Sequence, residues 1–84
     1  MNSIKWHPRA IRQLLKINRS DQIRIKDATA KLELMPHCQQ VKSLTNHPCQ
    51  FRLRVGHYRV FFNFDGTVRI VFIEEVSKRN ERPY

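Results

Sequence analysis

The sequence predicts an α+β domain of order β-α-α-β-β-β, in which a two-helix hairpin packs on one face of a small, mainly antiparallel sheet. Three observations predict it. Between Pro8 and Pro36 the apolar residues recur at helical spacing, in two stretches joined by the short polar connector Asn18-Arg-Ser-Asp21. Between Phe51 and Ile73 they form three strand-like runs. Gly56-His57 and Asp65-Gly66 separate these runs, dipeptides of the kind that two-residue hairpin turns require. Finally, 84 residues make one domain, 1–84, with a small core that buries roughly 60% of the unfolded surface.

Each element has its own justification. Ile4 and Trp6 alternate with Lys5 and His7, as in a short strand with one buried face. Pro8 suits the first turn of a helix, where its missing N–H costs nothing, and Ile11, Leu14 and Leu15 form that helix's apolar stripe. Ser20 is placed to cap a second helix, along which Ile25, Ala28, Leu32 and Met35 recur until Pro36 stops the pattern. So short a connector makes the two helices antiparallel neighbours. Residues 36–48 are polar and irregular, and read as a loop. Strands are expected over Phe51–Val55, Tyr58–Phe64 and Val68–Ile73, with no internal repeat or low-complexity stretch.

Sixteen Lys and Arg stand against seven scattered Asp and Glu, a net charge of +9. Such an excess favours a polyanionic partner, nucleic acid first. The first residues carry no apolar signal-like core, and no run approaches the ~18 apolar residues needed to cross a bilayer. The expectation is a cytoplasmic chain without membrane contact, in which Cys38 and Cys49 stay reduced. The spacing of His37, Cys38, His47 and Cys49 fits no standard zinc finger, so neither metal nor other cofactor is expected.

The turns also say where side chains go. A two-residue turn at Gly56-His57 sets Leu53 opposite Val60, Arg54 opposite Arg59 and Arg52 opposite Phe61. Directly opposite residues share a face, so Arg52, Arg54, Arg59 and Phe61 lie on one side. Phe51, Leu53, Val55, Tyr58, Val60 and Phe62 lie on the other. A similar turn at Asp65-Gly66 sets Phe64 opposite Thr67 and Arg59 opposite Phe72, continuing the arginine face over Phe72, Ile70 and Val68. The chain then leaves the sheet after Ile73, close enough to bring Lys78, Arg79, Arg82 and Tyr84 to the arginines. Arg54 opposite Arg59 is unfavourable in an isolated sheet, a cost offset where an anion sits between them; the plain alternative is three solvated arginines. Phe61, Val68, Ile70 and Phe72 either support the arginines or meet a partner.

At this point the residues resemble a known group. The element order, the run Lys42-Ser-Leu…Cys49-Gln-Phe-Arg-Leu-Arg-Val-Gly-His-Tyr-Arg-Val-Phe-Phe62 and the ending Val76-Ser-Lys-Arg-Asn…Tyr84 are similar to RelE-type toxins of bacterial toxin–antitoxin systems. The resemblance covers essentially the whole chain. It implies a microbial-RNase-like fold, cleavage of mRNA in the ribosomal A site, and inhibition by a cognate antitoxin protein. It also implies that Arg52 and Arg54 occupy the basic positions of one strand and Arg59 the arginine of the next. Arg79 and Tyr84 match the arginine and catalytic tyrosine of the C-terminal motif, and Pro83 departs from the family pattern.

Metal-free RNA cleavage uses the 2′-OH as nucleophile on the adjacent phosphorus. It needs a proton acceptor, charge stabilisation at the phosphorane and a donor to the leaving 5′-oxygen. The planar fork of arginine meets two phosphate oxygens at once. Tyr84 is therefore assigned as base, its phenolate favoured by surrounding cations. Arg52 and Arg59 are assigned to the scissile phosphate and Arg79 to the leaving group. Arg54, Lys78 and His57 are assigned to substrate binding, with His57 open as an alternative acid or base or as a solvated turn residue. Glu74 and Glu75, adjacent on a strand, are expected on opposite faces. His47 is read as loop chemistry, and the basic helix residues as solvated charges or rRNA contacts.

Two other classes remain open. One is a ParE-like member of the same fold family that inhibits DNA gyrase by binding. The other is a non-catalytic RNA-binding domain, although neither an RRM aromatic motif nor a GXXG loop is present.

Overall fold

The computed structural model describes residues 1–78. Its elements are β1 (Ser3–Trp6), α1 (Pro8–Leu15), α2 (Arg19–Ala30) with a 3₁₀ turn over Lys31–Leu34, β2 (Val41–Ser43), β3 (Phe51–Val55), β4 (Tyr58–Asp65) and β5 (Ile70–Lys78). The strands form one five-stranded sheet in the order β1-β5-β4-β3-β2. β1 runs parallel to β5 and every other pairing is antiparallel. The α+β class, with both helices on one face, is as expected, and a strand is added in the segment read as a loop. Val41–Ser43 is too short to show alternation and is recognisable through its pairing with β3, Val41 to Leu53 and Lys42 to Arg52.

The core lies between helices and sheet. Ala10, Leu14, Ile25, Leu32 and Met35 meet Leu53, Val55, Val60, Phe62, Val71, Ile73 and Val76, all buried. The stripe of α1 is narrower than its sequence suggests. Ala10 and Leu14, four residues apart, face the sheet, while Ile11 and Leu15 are exposed. A helix of two turns can press little more than one i, i+4 row against a sheet. Asn18, rather than Ser20, caps α2: its Oδ1 accepts from the Asp21 N–H at 2.9 Å, and the Ser20 hydroxyl donates to that same oxygen. Buried Asn2 fixes the start of β1 by donating from Nδ2 to the Leu32 and Met35 carbonyls, at 3.3 and 3.0 Å.

The first hairpin keeps the expected register, with Val55 opposite Tyr58, Arg54 opposite Arg59 and Arg52 opposite Phe61. The second does not. The Asp65 carboxylate accepts from the N–H groups of Thr67 and Val68, and Arg69 takes φ 58°, so the connection is four residues, 66–69. Phe64 therefore faces Val71 instead of Thr67, and β5 runs on to Lys78. A displacement of four is even, so Ile70 and Phe72 keep the arginine side, opposite Asp65 and Asn63. Val68 lies in the loop.

Between Phe61 and Phe62 the ladder with β5 shifts by one residue. Phe62 faces Ile73 and Phe61 faces Glu75, leaving Glu74 as the extra residue of a β-bulge. Ile73 and Val76 both enter the core. The two glutamates between them thus lie together on the opposite face, not on opposite faces as strict alternation predicts.

Candidate functional site

The face turned away from the helices is built in rows across the sheet. One row is Arg54–Arg59–Ser77 and the next is Lys42–Arg52–Phe61–Glu75. Arg52, Arg54 and Arg59 are thus brought together, with Lys42 beside Arg52. Lys42 was not singled out in the sequence because its role depends on β2. Arg54 is exposed, whereas Arg52 and Arg59 are half-buried. Burial without partners is the notable property. The Arg52 Nε is buried and has no hydrogen-bond partner, and among the described residues the ion pair within 4.0 Å is Arg24 with Asp21, at 3.9 Å. A guanidinium held this way retains donors for an external anion, and loses stability while none is bound.

The other predicted site residues are dispersed. Lys78 ends β5 opposite Tyr58, so it shares the side of Tyr58 rather than that of Arg59. β5 continues through Lys78 rather than ending at Ile73 beside Arg59. His57 sits in the β3–β4 turn, near enough to Asp21 for its charge to act on that carboxylate. Hydrogen bonding from the Asn18 amide holds the Asp21 carboxyl below its ordinary value. Burial opposes this, while the Tyr58 hydroxyl, Arg24 and His57 add to it. Tyr58 donates to Asp21 at 3.1 Å, and burial, then Asp21, pushes its phenol up. Arg79, Arg82 and Tyr84 lie outside the described residues.

The loop from Leu44 to Gln50 folds over this face. The His47 ring stacks on Phe61 with centroids 4.7 Å apart and 20° between planes. Gln50 N–H donates to Asn63 Oδ1 at 2.8 Å. Cys49 is buried, and burial pushes its thiol up, with the Glu74 and Glu75 carboxylates adding to the effect. Phe61, expected either to support the arginines or to meet a partner, is roofed by His47. The sequence separates the two by fourteen positions, and no periodicity links a loop residue to a strand partner. Among the described residues no three His, Cys, Asp or Glu are grouped to hold a metal ion. No helix among them is long and apolar enough to cross a membrane.

Residues 4–83 match the sequence model of the ParE toxin of type II toxin–antitoxin systems. The chain belongs to this toxin family, within the RelE/ParE superfamily. The fold is shared with solved RelE structures. RelE in the RelE–RelB complex of Pyrococcus horikoshii matches at 20% identity and a TM-score of 0.81, over 96% of this chain and 98% of that one. Isolated Escherichia coli RelE matches at 15% and 0.81, covering 98% and 88%. The RelBE2 toxin–antitoxin complex of Mycobacterium tuberculosis matches at 24% and 0.80, covering 93% and 98%. No curated protein sequence matches significantly. At these identities the structural likeness fixes the fold of the toxin, while its chemistry has to come from the site.

Proposed function

We propose that this toxin is a cytoplasmic, metal-independent endoribonuclease that cuts mRNA in the ribosomal A site and is held inactive by a cognate antitoxin. The observation that carries the reading is the cationic face: Arg52, Arg54 and Arg59 side by side, with the Arg52 Nε buried and unpartnered. A face that gathers like charges at a cost in stability is suited to an anion that enters it. In the reaction the 2′-oxygen attacks phosphorus as its proton is taken up, and the bond to the 5′-oxygen breaks as that oxygen is protonated. Arg52 and Arg59 neutralise the charge that develops on the non-bridging oxygens. Arg54 and Lys42 hold the flanking backbone. Tyr84 and Arg79 are assigned to proton transfer and the leaving group on the strength of the RelE resemblance. The antitoxin partner follows from the family and from the RelE–RelB and RelBE2 complexes of the relatives.

The test is a reconstituted translation reaction on a defined mRNA, with and without ribosomes, read by primer extension. Wild type should cut at codon boundaries in a ribosome-dependent way. Arg59→Ala should cut about 100- to 1000-fold more slowly, the usual loss when one charge-stabilising donor is removed. Equal cleavage by the mutant removes Arg59 from the site. The name of the matching family model raises a second reading, ParE-like inhibition of DNA gyrase by binding. Growth arrest without RNA cuts, accompanied by loss of gyrase supercoiling, would establish that reading instead.

A further inference from the structure

The Leu44–Gln50 loop is tied to the sheet rather than merely spanning it. Leu44 N–H donates to the Gln50 carbonyl at 2.9 Å, closing the loop at its base. Phe64 N–H donates to Gln50 Oε1 at 2.8 Å, fastening that base to β4. Within it, the Cys49 N–H donates to His47 Nδ1 at 3.0 Å. Nδ1 is thus an acceptor and carries no proton, so the neutral ring holds its proton on Nε2. This bond and the stack on Phe61 fix the ring's position and its plane. One ring face is covered by Phe61, while His47 as a residue is exposed. Phe61 is the direct cross-strand neighbour of Arg52.

An immobilised, exposed aromatic residue beside a row of cations is the arrangement by which proteins hold single strands. Successive bases stack on the aromatics while the backbone follows the charges. A role as the reaction's base fits less well, because the ring would have to give up the Cys49 contact to take a proton on Nδ1. Stacking needs no proton transfer and uses the ring as it stands.

We infer that His47, backed by Phe61, is the platform on which the nucleobase next to the phosphate at Arg52 and Arg59 stacks. The contact rests on the RNA-cleavage reading above and supplies its specificity element. The larger π-face of a purine favours it over a pyrimidine at that position.

Two substitutions separate the ring from its loop bond. His47→Asn keeps an acceptor for the Cys49 N–H, as Asx turns do, and deletes the ring. His47→Phe keeps a ring and deletes the acceptor. The probe is a ribosome programmed with mRNA carrying 2-aminopurine at one A-site position in turn, with a 2′-O-methyl group blocking cleavage. Wild type and His47→Phe should quench the fluorescence at one position. His47→Asn should not quench there, and should bind roughly 5- to 150-fold more weakly, the range for losing one base–aromatic stack. Quenching by His47→Asn equal to wild type overturns the inference. So does a wild type that cleaves unblocked mRNA yet quenches nowhere, and in that case the cleavage reading survives. A wild type that neither sediments with ribosomes nor cleaves removes both.

Discussion

On the helix-covered face of the sheet Leu53, Val60, Phe62, Val71, Ile73 and Val76 are buried, whereas the opposite face of the same strands carries Arg52, Arg54, Arg59, Glu74 and Glu75. The first face follows the rules of stability: apolar, alternating and closed by two helices. The second departs from them, opposing two arginines and burying an unpartnered donor. One set of strands therefore presents two unlike faces, and if the proposed function holds, folding and function make separate demands on neighbouring residues. Substitutions one position apart along β3 or β4 should have opposite consequences.

The largest expected effect is on the closed face. Phe62 is fully buried in the core, and Phe62→Ala should cost about 3–5 kcal/mol. That is a large part of the stability of so small a domain. Urea denaturation read by circular dichroism checks it, and a loss below about 1 kcal/mol would break the contrast between the faces. Ten positions earlier, on the open face, the sign should reverse. Arg52→Met retains length and apolar stem while removing the buried, unpartnered Nε. It should raise stability by about 1 kcal/mol, the low end of the cost of an unsatisfied buried donor. The same variant should cleave at least about 100-fold more slowly. A stability decrease would mean that Arg52 serves the fold.

The contrast also accounts for what could be read in the sequence. The closed face was legible because burial imposes alternation, and the Gly56-His57 turn fixed the β3–β4 register from local chemistry. From these two features the juxtaposition of Arg52, Arg54 and Arg59 followed. The rest depended on interactions without a period. The Asp65 side chain recruits the N–H groups of Thr67 and Val68 and lengthens the turn. The bulge at Glu74 and Glu75 answers to the joint burial of Ile73 and Val76. β2 exists through β3, so Lys42 could be quoted from the family run yet not placed. His47 reaches Phe61 by loop closure alone.

A smaller effect concerns the junction between the closed face and α2, where Tyr58 donates to Asp21. The folded Asp21 carboxyl titrates below its ordinary value, chiefly because the Asn18 amide donates to the carboxylate. Its contribution is therefore fully present above the unfolded value, near ~3.9, and is lost as pH falls through the lower folded value. Melting temperature should fall more steeply for wild type than for Asp21→Asn between about pH 5 and pH 2. Parallel curves would show that Asp21 adds no acid sensitivity and that the junction is held by packing.

The smallest effect should come from Lys42, at the open face's outer edge. It is exposed and lies opposite Arg52, so under the proposed RNA-cleavage reading it would meet RNA as a solvated point charge rather than as a desolvated fork. Its removal should barely alter folding and should slow cleavage far less than loss of Arg52 or Arg59. The informative readout is salt dependence. Each single-strand phosphate contact contributes about 0.7 to the slope of log affinity against log salt, so Lys42→Ala should make the slope shallower by about that amount across all sequences. An unchanged slope would place the RNA path over Arg54 and Arg59 without crossing β2. A slope change accompanied by altered base preference would mean that Lys42 acts through the neighbouring His47 loop, extending the functional face from the sheet into its covering loop.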